Sequence, residues 1–233
     1  MMPTMANNIN EIIKNISGWL TPNEADLLYS LAKRSNETIV EIGTWKGKST
    51  ICLGIGSKEG NRSKVITIDP HFPAFFFIYT ILLKNIKKTN VSDVVTPIKS
   101  TSLKVGRAFT EPIDLLFIDG LHQYEYVIID FLLWEKHVIK DGLIAFHDSN
   151  VKEWPQVQKV INDYIAHSKR FEIIKIVDSI TVIKKLSGAS ALEKEENDKA
   201  LNNAIKKLKP LYVALLYDTL QFFIFAIKKG FRG

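Results

Sequence analysis

The sequence predicts an α/β protein built on a doubly wound, mostly parallel sheet. Five short apolar runs, each bounded by turn residues, alternate with segments of helical length. Strands of this kind, apolar on both faces, are typical of a parallel sheet covered by helices on both sides. Two further runs, 171–177 and 180–184, are separated only by Asp178 and Ser179, which predicts a closing β-hairpin. The predicted sheet therefore has seven strands.

The elements of this sheet follow one another along residues 38–185. The five apolar runs are 38–42, 64–68, 94–98, 113–118 and 142–147. The predicted helices are 48–58, 74–89, 101–109, 122–139 and 154–168.

Helices are also predicted on both sides of the sheet region. Residues 8–20 read as an amphipathic helix. Thr21 as N-cap, Pro22 at the first helical position and Glu24 in a capping box then begin a second helix. Residues 1–36 are expected to cover the sheet of a domain spanning 1–185. The polar stretch 186–200 predicts a linker, and 201–233 an amphipathic or apolar C-terminal helix.

The composition limits the classes of protein to which this chain can belong. With 46% apolar and 24% charged residues, the chain is expected to be globular rather than disordered. The single cysteine, Cys52, excludes an internal disulfide and a CxxC zinc site, and the N-terminus lacks the pattern of a secretory signal. A cytoplasmic location is the expectation. Residues 186–233 hold eight basic and five acidic side chains, which is half of the net charge of +6. The nearly neutral remainder does not favour a nucleic-acid partner.

Ligands of open α/β sheets bind beyond the carboxyl ends of the strands, so the residues there are the candidates for a site. After the first run come two glycines four residues apart, Gly43 and Gly47, which allow a tight turn and a close backbone approach. The pattern is neither GxGxxG nor a P-loop, and it suits a ligand without phosphates, such as an adenosyl amino acid. The alternative is a tight β–α turn that binds no ligand.

The second and third runs end in polar residues. Asp69 could accept both hydroxyl hydrogens of a ribose, or it could be a turn aspartate before Pro70. Ser100, Thr101 and Ser102 could meet an adenine or cap the helix that follows.

The fourth and fifth runs end in acidic residues and histidines. Asp119 would project into the crevice, and His122 could take a proton near neutral pH. Their alternatives are a helix N-cap and an exposed first-turn residue. Asp119, His147 and Asp148 could together bind Mg²⁺. Because neighbouring residues of a strand face opposite ways, His147 and Asp148 converge only if the strand ends before them.

Four segments resemble the class I S-adenosylmethionine-dependent methyltransferases, and in particular the subgroup called methyltransferase domain 24. These are EIGTWKGKST, VITIDPH, DLLFIDGLHQYEYVIIDF, and DGLIAFHDS followed by WPQV. The resemblance covers about residues 15–185. It implies a Rossmann-like sheet with the order 3-2-1-4-5-7-6 and an antiparallel last strand. It also implies S-adenosyl-L-methionine as cofactor.

The resemblance assigns roles to single residues. Glu41, Gly43 and Gly47 would form the floor of the methionine site, Asp69 would bind the ribose, and Asp119 would lie near the sulfonium. The cofactor-binding set expected in full is Glu41, Gly43, Thr44, Trp45, Gly47, Ser49, Thr50, Asp69, Ser100, Asp119 and His122.

The catalytic candidates are Asp119 and His122. Related sugar and macrolide O-methyltransferases bind Mg²⁺ through acids at positions like Asp119 and Asp148. They usually carry another acid where this chain has Leu121, so His122 is the nearest substitute base.

The function expected from these residues is O-methylation of a small-molecule or carbohydrate-like acceptor, which could be lipid-linked. One alternative is metal-dependent oxidation on the same fold, as in the related cephalosporin hydroxylase-like proteins. Another is a non-catalytic module recruited to membranes. An RNA methyltransferase is disfavoured by the nearly neutral body.

Two segments are more apolar than a helix that packs one side against a sheet needs to be. Residues 72–83 carry no charge, and 211–227 are mostly apolar with Asp218 and Gln221 on one stripe. The second segment predicts either an interfacial helix, which would place the protein peripherally at a membrane, or a helix docked on 72–83. Docking on the partner subunit's copy of 72–83 would make a homodimer.

Overall fold

The computed structural model describes residues 8–71 and 76–208, which form a seven-stranded sheet flanked by helices. The strands are β1 Thr38–Ile42, β2 Val65–Asp69, β3 Val95–Lys99, β4 Ile113–Ile118, β5 Val138–Phe146, β6 Phe171–Val177 and β7 Ile180–Lys185. Their order in the sheet is β3-β2-β1-β4-β5-β7-β6. The pairs among β1 to β5 are parallel, and β7 is antiparallel to both β5 and β6.

Eight α-helices lie in the described ranges. They are α1 Ile9–Ile13, α2 Pro22–Arg34, α3 Lys48–Glu59, α4 Phe76–Lys88, α5 Ser102–Gly106, α6 Tyr124–Trp134, α7 Pro155–Tyr164 and α8 Ala191–Lys207. A short 3₁₀ helix, Glu135–His137, leads from α6 into β5.

The sheet has an apolar cluster on each face, as the continuous apolar runs predict. On one face β4 and β5 pack against α6 and α7 around Trp134, Phe131 and Phe146, all buried. On the other face α1, α2 and α3 pack over Ile39, Leu115 and Phe117. Burial on both faces explains why β1 is buried at all five positions. The predicted fold class and strand order are confirmed.

Local sequence signals fix the start of α2. The Thr21 side chain accepts from the Glu24 backbone N–H at 3.2 Å, and the Glu24 carboxylate accepts from the Thr21 N–H at 2.8 Å. Pro22 lies at the first turn. This reciprocal capping box satisfies two helix donors, as predicted from the residue spacing.

The fifth strand differs from its prediction in a way that matters for the site. The strand was expected at 142–147, but β5 starts earlier, where Val138 pairs with Ile113, and it ends at Phe146. The sequence predicts one long helix over 122–139. Only its first part is helical, as α6, and its last two residues belong to β5. Since Asp148 has a φ of +52°, the chain leaves the strand direction immediately after β5.

Two predictions outside the sheet are wrong in part. The helix predicted for 8–20 spans only Ile9–Ile13, and irregular backbone then carries Trp19 onto Trp45. Most of the predicted linker 186–200 is helical, because α8 begins at Ala191 with its own capping box between Ser190 and Glu193. Ala204 and the half-buried Leu201 pack α8 against the α6 side of the core. The predicted helix 101–109 is also shorter, as α5.

The two apolar segments singled out in the sequence are only partly described. In α4, Ile78, Leu82 and Ile86 are buried while Phe77 and Leu83 are exposed. The segment 211–227, with its membrane or docking interpretations, lies outside the described residues. No helix within 8–71 and 76–208 is long and apolar enough to cross a membrane.

Candidate active site

The predicted site residues meet at one edge of the sheet, because the backbone ladder continues past the strand ends. The Gly43 N–H donates to the Ile68 oxygen at 2.9 Å, and the Asp119 N–H donates to the Ile42 oxygen at 2.8 Å. The His147 N–H donates to the Ile118 oxygen at 3.0 Å. The ends of β1, β2, β4 and β5 are therefore held side by side.

The loop after β1 needs its glycines because other parts of the chain come close to them. Gly43 has a φ of +87°, and a Cβ built on it would lie 1.9 Å from the Asp119 carbonyl oxygen. Gly47 has a φ of +91°, and a Cβ there would lie 2.6 Å from Leu82 Cδ1. The loop thus passes directly over the end of β4, which brings the first and fourth strand-end motifs into contact.

Asp69 holds this loop in place. Its Oδ2 accepts the Thr44 and Trp45 backbone N–H groups at 3.0 and 3.2 Å, and its Oδ1 accepts the His71 N–H at 2.8 Å. These bonds fulfil the turn-aspartate role that the sequence left open. The carboxylate remains one-fifth exposed at the strand end. Each carboxylate oxygen has more than one acceptor position, so these bonds do not exhaust its capacity to accept.

Glu41, Ser49 and Thr50 lie beneath the loop and are buried. Thr50 donates to Glu41 Oε2 at 2.6 Å, and Thr67 donates to the same oxygen. Burial raises the pKa of Glu41 to about 7 against the opposing effect of these hydroxyl groups. Glu41 Oε1 is buried and has no hydrogen-bond partner among the described residues. An acceptor left without a donor is costly, so Glu41 is suited to a donor supplied by a ligand.

Asp119, His147 and Asp148 converge on one point. The His147 Nδ1 atom lies 3.0 Å from Asp119 Oδ1 and 3.0 Å from Asp148 Oδ2. This geometry meets the condition set by the sequence, because β5 ends before His147. Burial alone would lower the pKa of His147, but the two carboxylates outweigh it and hold that pKa well above its usual value. The imidazolium thus links the ends of β4 and β5.

The two carboxylates of this centre shift in opposite directions. Burial raises the pKa of Asp119 despite the attraction of His147. For Asp148, burial also acts to raise the pKa, but the charge of His147 and the hydrogen bond with His122 prevail and hold it well below its usual range. The site therefore contains two carboxyl groups with different proton affinities.

His122 lies on the same centre, just before α6. Its Nε2 atom is 3.1 Å from Asp148 Oδ2, and its ring stacks on Trp154 at 4.2 Å between centroids. The ligand atoms of Asp119, His122 and Asp148 all lie within 4.8 Å of one another. This group shares Asp119 and Asp148 with the predicted metal set and contains His122 where the sequence analysis named His147, which lies 3.0 Å from both carboxylates.

At the third strand end, the helix cap that the sequence analysis left open is present. The Thr101 side chain caps α5 by accepting from the Lys104 N–H at 3.3 Å, and Ser102 donates to the buried Asp130. The Ser100 N–H donates to the Asp69 oxygen at 3.2 Å, which leaves Ser100 as the residue of the three nearest the predicted ribose acid.

Glu24 belongs to the site, although the sequence analysis assigned it only to helix capping. Its Oε1 accepts the N–H and the hydroxyl of Ser179 at 2.8 and 2.6 Å, and its Oε2 lies 3.7 Å from His147 Nε2. Burial acts to raise the pKa of Glu24, but His147 and Ser179 lower it to about 2. A capping box satisfies only the helix, so nothing in the local sequence indicates this second role.

Trp19 is a second residue that the sequence did not place in the site. Its ring lies 5.6 Å from the ring of Trp45 in the glycine loop, and it is 52% exposed. The Lys48 ammonium donates to the Gly18 oxygen at 3.2 Å and fixes the neighbouring backbone on α3. Residues 18–24 therefore run along the rim of the site, from the glycine loop at one end to His147 at the other.

Comparisons with known proteins agree with this geometry. Residues 40–149 match a family model described as a methyltransferase domain. An uncharacterised protein of Acanthamoeba polyphaga mimivirus is 34% identical over 146 residues, which is 58% of this chain. The chain spans 62% of the length of that relative.

Two solved structures share the fold. An O-methyltransferase from Bacillus cereus, in complex with SAH, has a TM-score of 0.60 at 21% identity, over 77% of this chain and 90% of its own. A TDP-rhamnose 3'-O-methyltransferase of calicheamicin biosynthesis has a TM-score of 0.54 at 14% identity, over 69% and 76%. Residues 40–149 thus match a methyltransferase domain, and the sheet has the fold of solved O-methyltransferases. The resemblance seen in the sequence is confirmed.

Proposed function

We propose that this protein transfers a methyl group from S-adenosyl-L-methionine to a hydroxyl group of a small-molecule or carbohydrate-like acceptor. The observation that carries the proposal is the assembly of four strand-end motifs at one edge of the sheet. In this proposal Asp69 binds the ribose of the cofactor, the glycine loop binds its methionine part, and Asp119 lies near its sulfonium. Solved structures of this fold include an SAH complex and a sugar O-methyltransferase, which supports both parts of the proposal.

The cofactor would be held by residues already positioned by the fold. Glu41 Oε1 is a buried acceptor without a described partner, which fits the ammonium group of a bound amino acid. Asp69 would accept the ribose hydroxyls with the capacity left by its loop contacts. The bound cofactor supplies an activated methyl group, and the protein must orient an acceptor toward it.

His122 is the proposed base for the acceptor hydroxyl. When Nε2 donates to Asp148, the basic nitrogen of a neutral His122 is Nδ1, and the acceptor proton would move to that atom. The Asp148 carboxylate then stabilises the imidazolium that forms. Trp154 stacks on the His122 ring and restricts its orientation.

A divalent cation would bind Asp119, His122 and Asp148. Two carboxylates suit Mg²⁺, whereas an imidazole ligand is more typical of transition metals. His147 Nδ1 already lies 3.0 Å from both carboxylates, so a cation would compete with an imidazolium for the same oxygens. This group also favours the second candidate, a metal-dependent oxidation on the same fold.

The two candidates are separated by one assay of methyl transfer. Isotope-labelled S-adenosylmethionine is incubated with the full chain and with catechol or methyl rhamnoside as probe acceptors, with and without EDTA. We expect labelled methyl ether, and a drop in rate of about 10²- to 10⁴-fold for His122→Gln. His167→Gln, three residues after the end of α7, is the matched control. Product formation that needs metal and oxygen but no methyl donor would instead establish the oxidation.

A further inference from the structure

The edge strand β6 carries the largest group of exposed apolar side chains in the described part of the chain. Ile173, Ile174 and Ile176 are 44%, 44% and 57% exposed, whereas the other large exposed apolar residues described lie singly or on other elements. Among the described strands β6 pairs only with β7. An apolar edge strand of this kind is a template for pairing with another chain.

A β-bulge determines to which face of the sheet the side chains of β6 point. The register shifts between Ile173 and Lys175, so Ile174 is an extra residue. Phe171, Ile173 and Ile176 lie opposite alternate residues of β7, which are Lys185, Ile183 and Thr181. Directly opposed residues point to the same face, so these three apolar residues share a face on both sides of the bulge.

The charged residues of β6 share the other face. Glu172 lies opposite Lys184 and Lys175 lies opposite Val182, and these two β7 positions also alternate. Without the bulge, Glu172 and Lys175 would point to opposite faces, because they are separated by an odd number of positions. The bulge therefore brings one negative and one positive side chain onto one face of a solvent-exposed edge.

We propose that β6 pairs antiparallel with β6 of a second copy of this chain, about a two-fold axis at Ile173 and Ile174. In this register Glu172 of each copy lies opposite Lys175 of the other, and Phe171 lies opposite Ile176. Opposed residues of a two-fold antiparallel pair must share a face, and the bulge satisfies this condition for both pairs. Opposite charges and apolar pairs across strands both stabilise a sheet.

The bulge and Lys175 could instead keep edges apart, because proteins use such features against edge-to-edge aggregation. Two observations favour the two-fold pair. The three isoleucines leave the edge apolar despite the lysine, and the positions of Glu172 and Lys175 complement their own copies. A two-fold contact uses each edge once and closes, whereas open-ended stacking does not.

The test is sedimentation equilibrium of the full chain over a wide range of concentration. We expect a reversible dimer in the wild type. Glu172→Lys or Lys175→Glu alone puts like charges opposite each other twice per dimer. Each should weaken the dimer by about three- to tenfold. The double variant E172K/K175E restores opposite charges and should restore dimerisation. Lys194→Glu, on the exposed side of α8, is the charge-matched control and should have no effect.

Two outcomes would overturn the proposal. A wild type that stays monomeric at every concentration would show that β6 does not pair with a second copy. A dimer that is equally stable in both single variants and in the double variant would place the contact elsewhere. Circular dichroism of each variant checks that the fold is retained. The proposal does not depend on the methyltransferase activity.

Discussion

Single residues at the strand ends combine a structural role with a proposed chemical one. Gly43 was predicted from its spacing to let the backbone pass close to a ligand. In the structure, the protein atom nearest to a Cβ built on Gly43 is the Asp119 carbonyl oxygen, at 1.9 Å. Asp69 likewise holds the loop through Thr44 and Trp45. The residue types could be predicted from the sequence, but their contacts could not, because those depend on strands distant in the chain.

Replacing Gly43 by alanine should destabilise the fold by more than about 1 kcal/mol, since alanine is strained at a φ of +87° and its Cβ would overlap Asp119. Urea unfolding measures the change. Gly188→Ala is the matched control, because a Cβ there meets nothing within 4 Å. Equal stability of the two variants would show that the loop can move away from β4.

Asp130 should make stability fall as the pH rises. Burial raises its pKa to about 7 against the hydrogen bond from Ser102. A carboxyl group whose pKa is higher in the folded state than in the unfolded state favours folding only while it is protonated. Its contribution is therefore lost between the unfolded value of about 4 and the folded value of about 7, at about 1.4 kcal/mol for each unit of difference.

The measurement compares the free energy of unfolding of wild type and Asp130→Asn at pH 4.5 and pH 8. The wild type should lose stability relative to the variant on going to the higher pH, because asparagine does not titrate. A difference between the two proteins that is the same at both pH values would contradict a raised pKa for Asp130.

At the scale of elements, the sequence predicts best the helices and strands whose apolar residues recur at regular spacing and whose ends are marked by capping or turn residues. The capping box of α2 and the five apolar runs were located within one or two residues, except at β5. Residues 191–200 of α8 were predicted as a linker, because their charged composition resembles one and the stabilising contacts of α8 with α6 are tertiary. Residues 201–207 of α8 lie within the predicted C-terminal helix. The signal that could have found the start of α8 is Ser190 followed by Glu193.

The start of α2 should matter more than an ordinary helix end. Thr21 caps the helix and also donates to Asp178 in the β6–β7 turn, and Glu24 contacts Ser179. Thr21→Ala should therefore lower the free energy of unfolding by about 1–2 kcal/mol. Ser190→Ala removes the same kind of cap from the exposed α8 and should cost less. Thermal unfolding of both variants compares them, and a larger loss for Ser190→Ala would refute the tie between α2 and the β6–β7 turn.

At the scale of the whole molecule, most of the candidate site residues were selected by one rule, that ligands of α/β sheets bind beyond the carboxyl ends of the strands. It selected Asp69, Asp119 and Asp148 before any contact was known, because the ends of parallel strands gather at one edge. It could not select Glu24 or Trp19, which reach that edge from the N-terminal segment. It also could not separate the roles of His122 and His147, since those depend on where β5 ends.

The central claim is that the strand ends of β1, β2, β4 and β5 bind the methyl-transfer cofactor. The most direct measurement is calorimetric titration of the folded full chain with S-adenosylhomocysteine, repeated with Asp69→Ala and with Asp93→Ala, a control that lies just before β3 at the opposite edge of the sheet. We expect micromolar binding by the wild type and the control, and a loss of about 10- to 100-fold for Asp69→Ala. An absence of binding by the folded wild type, or equal affinity in Asp69→Ala, would contradict the account.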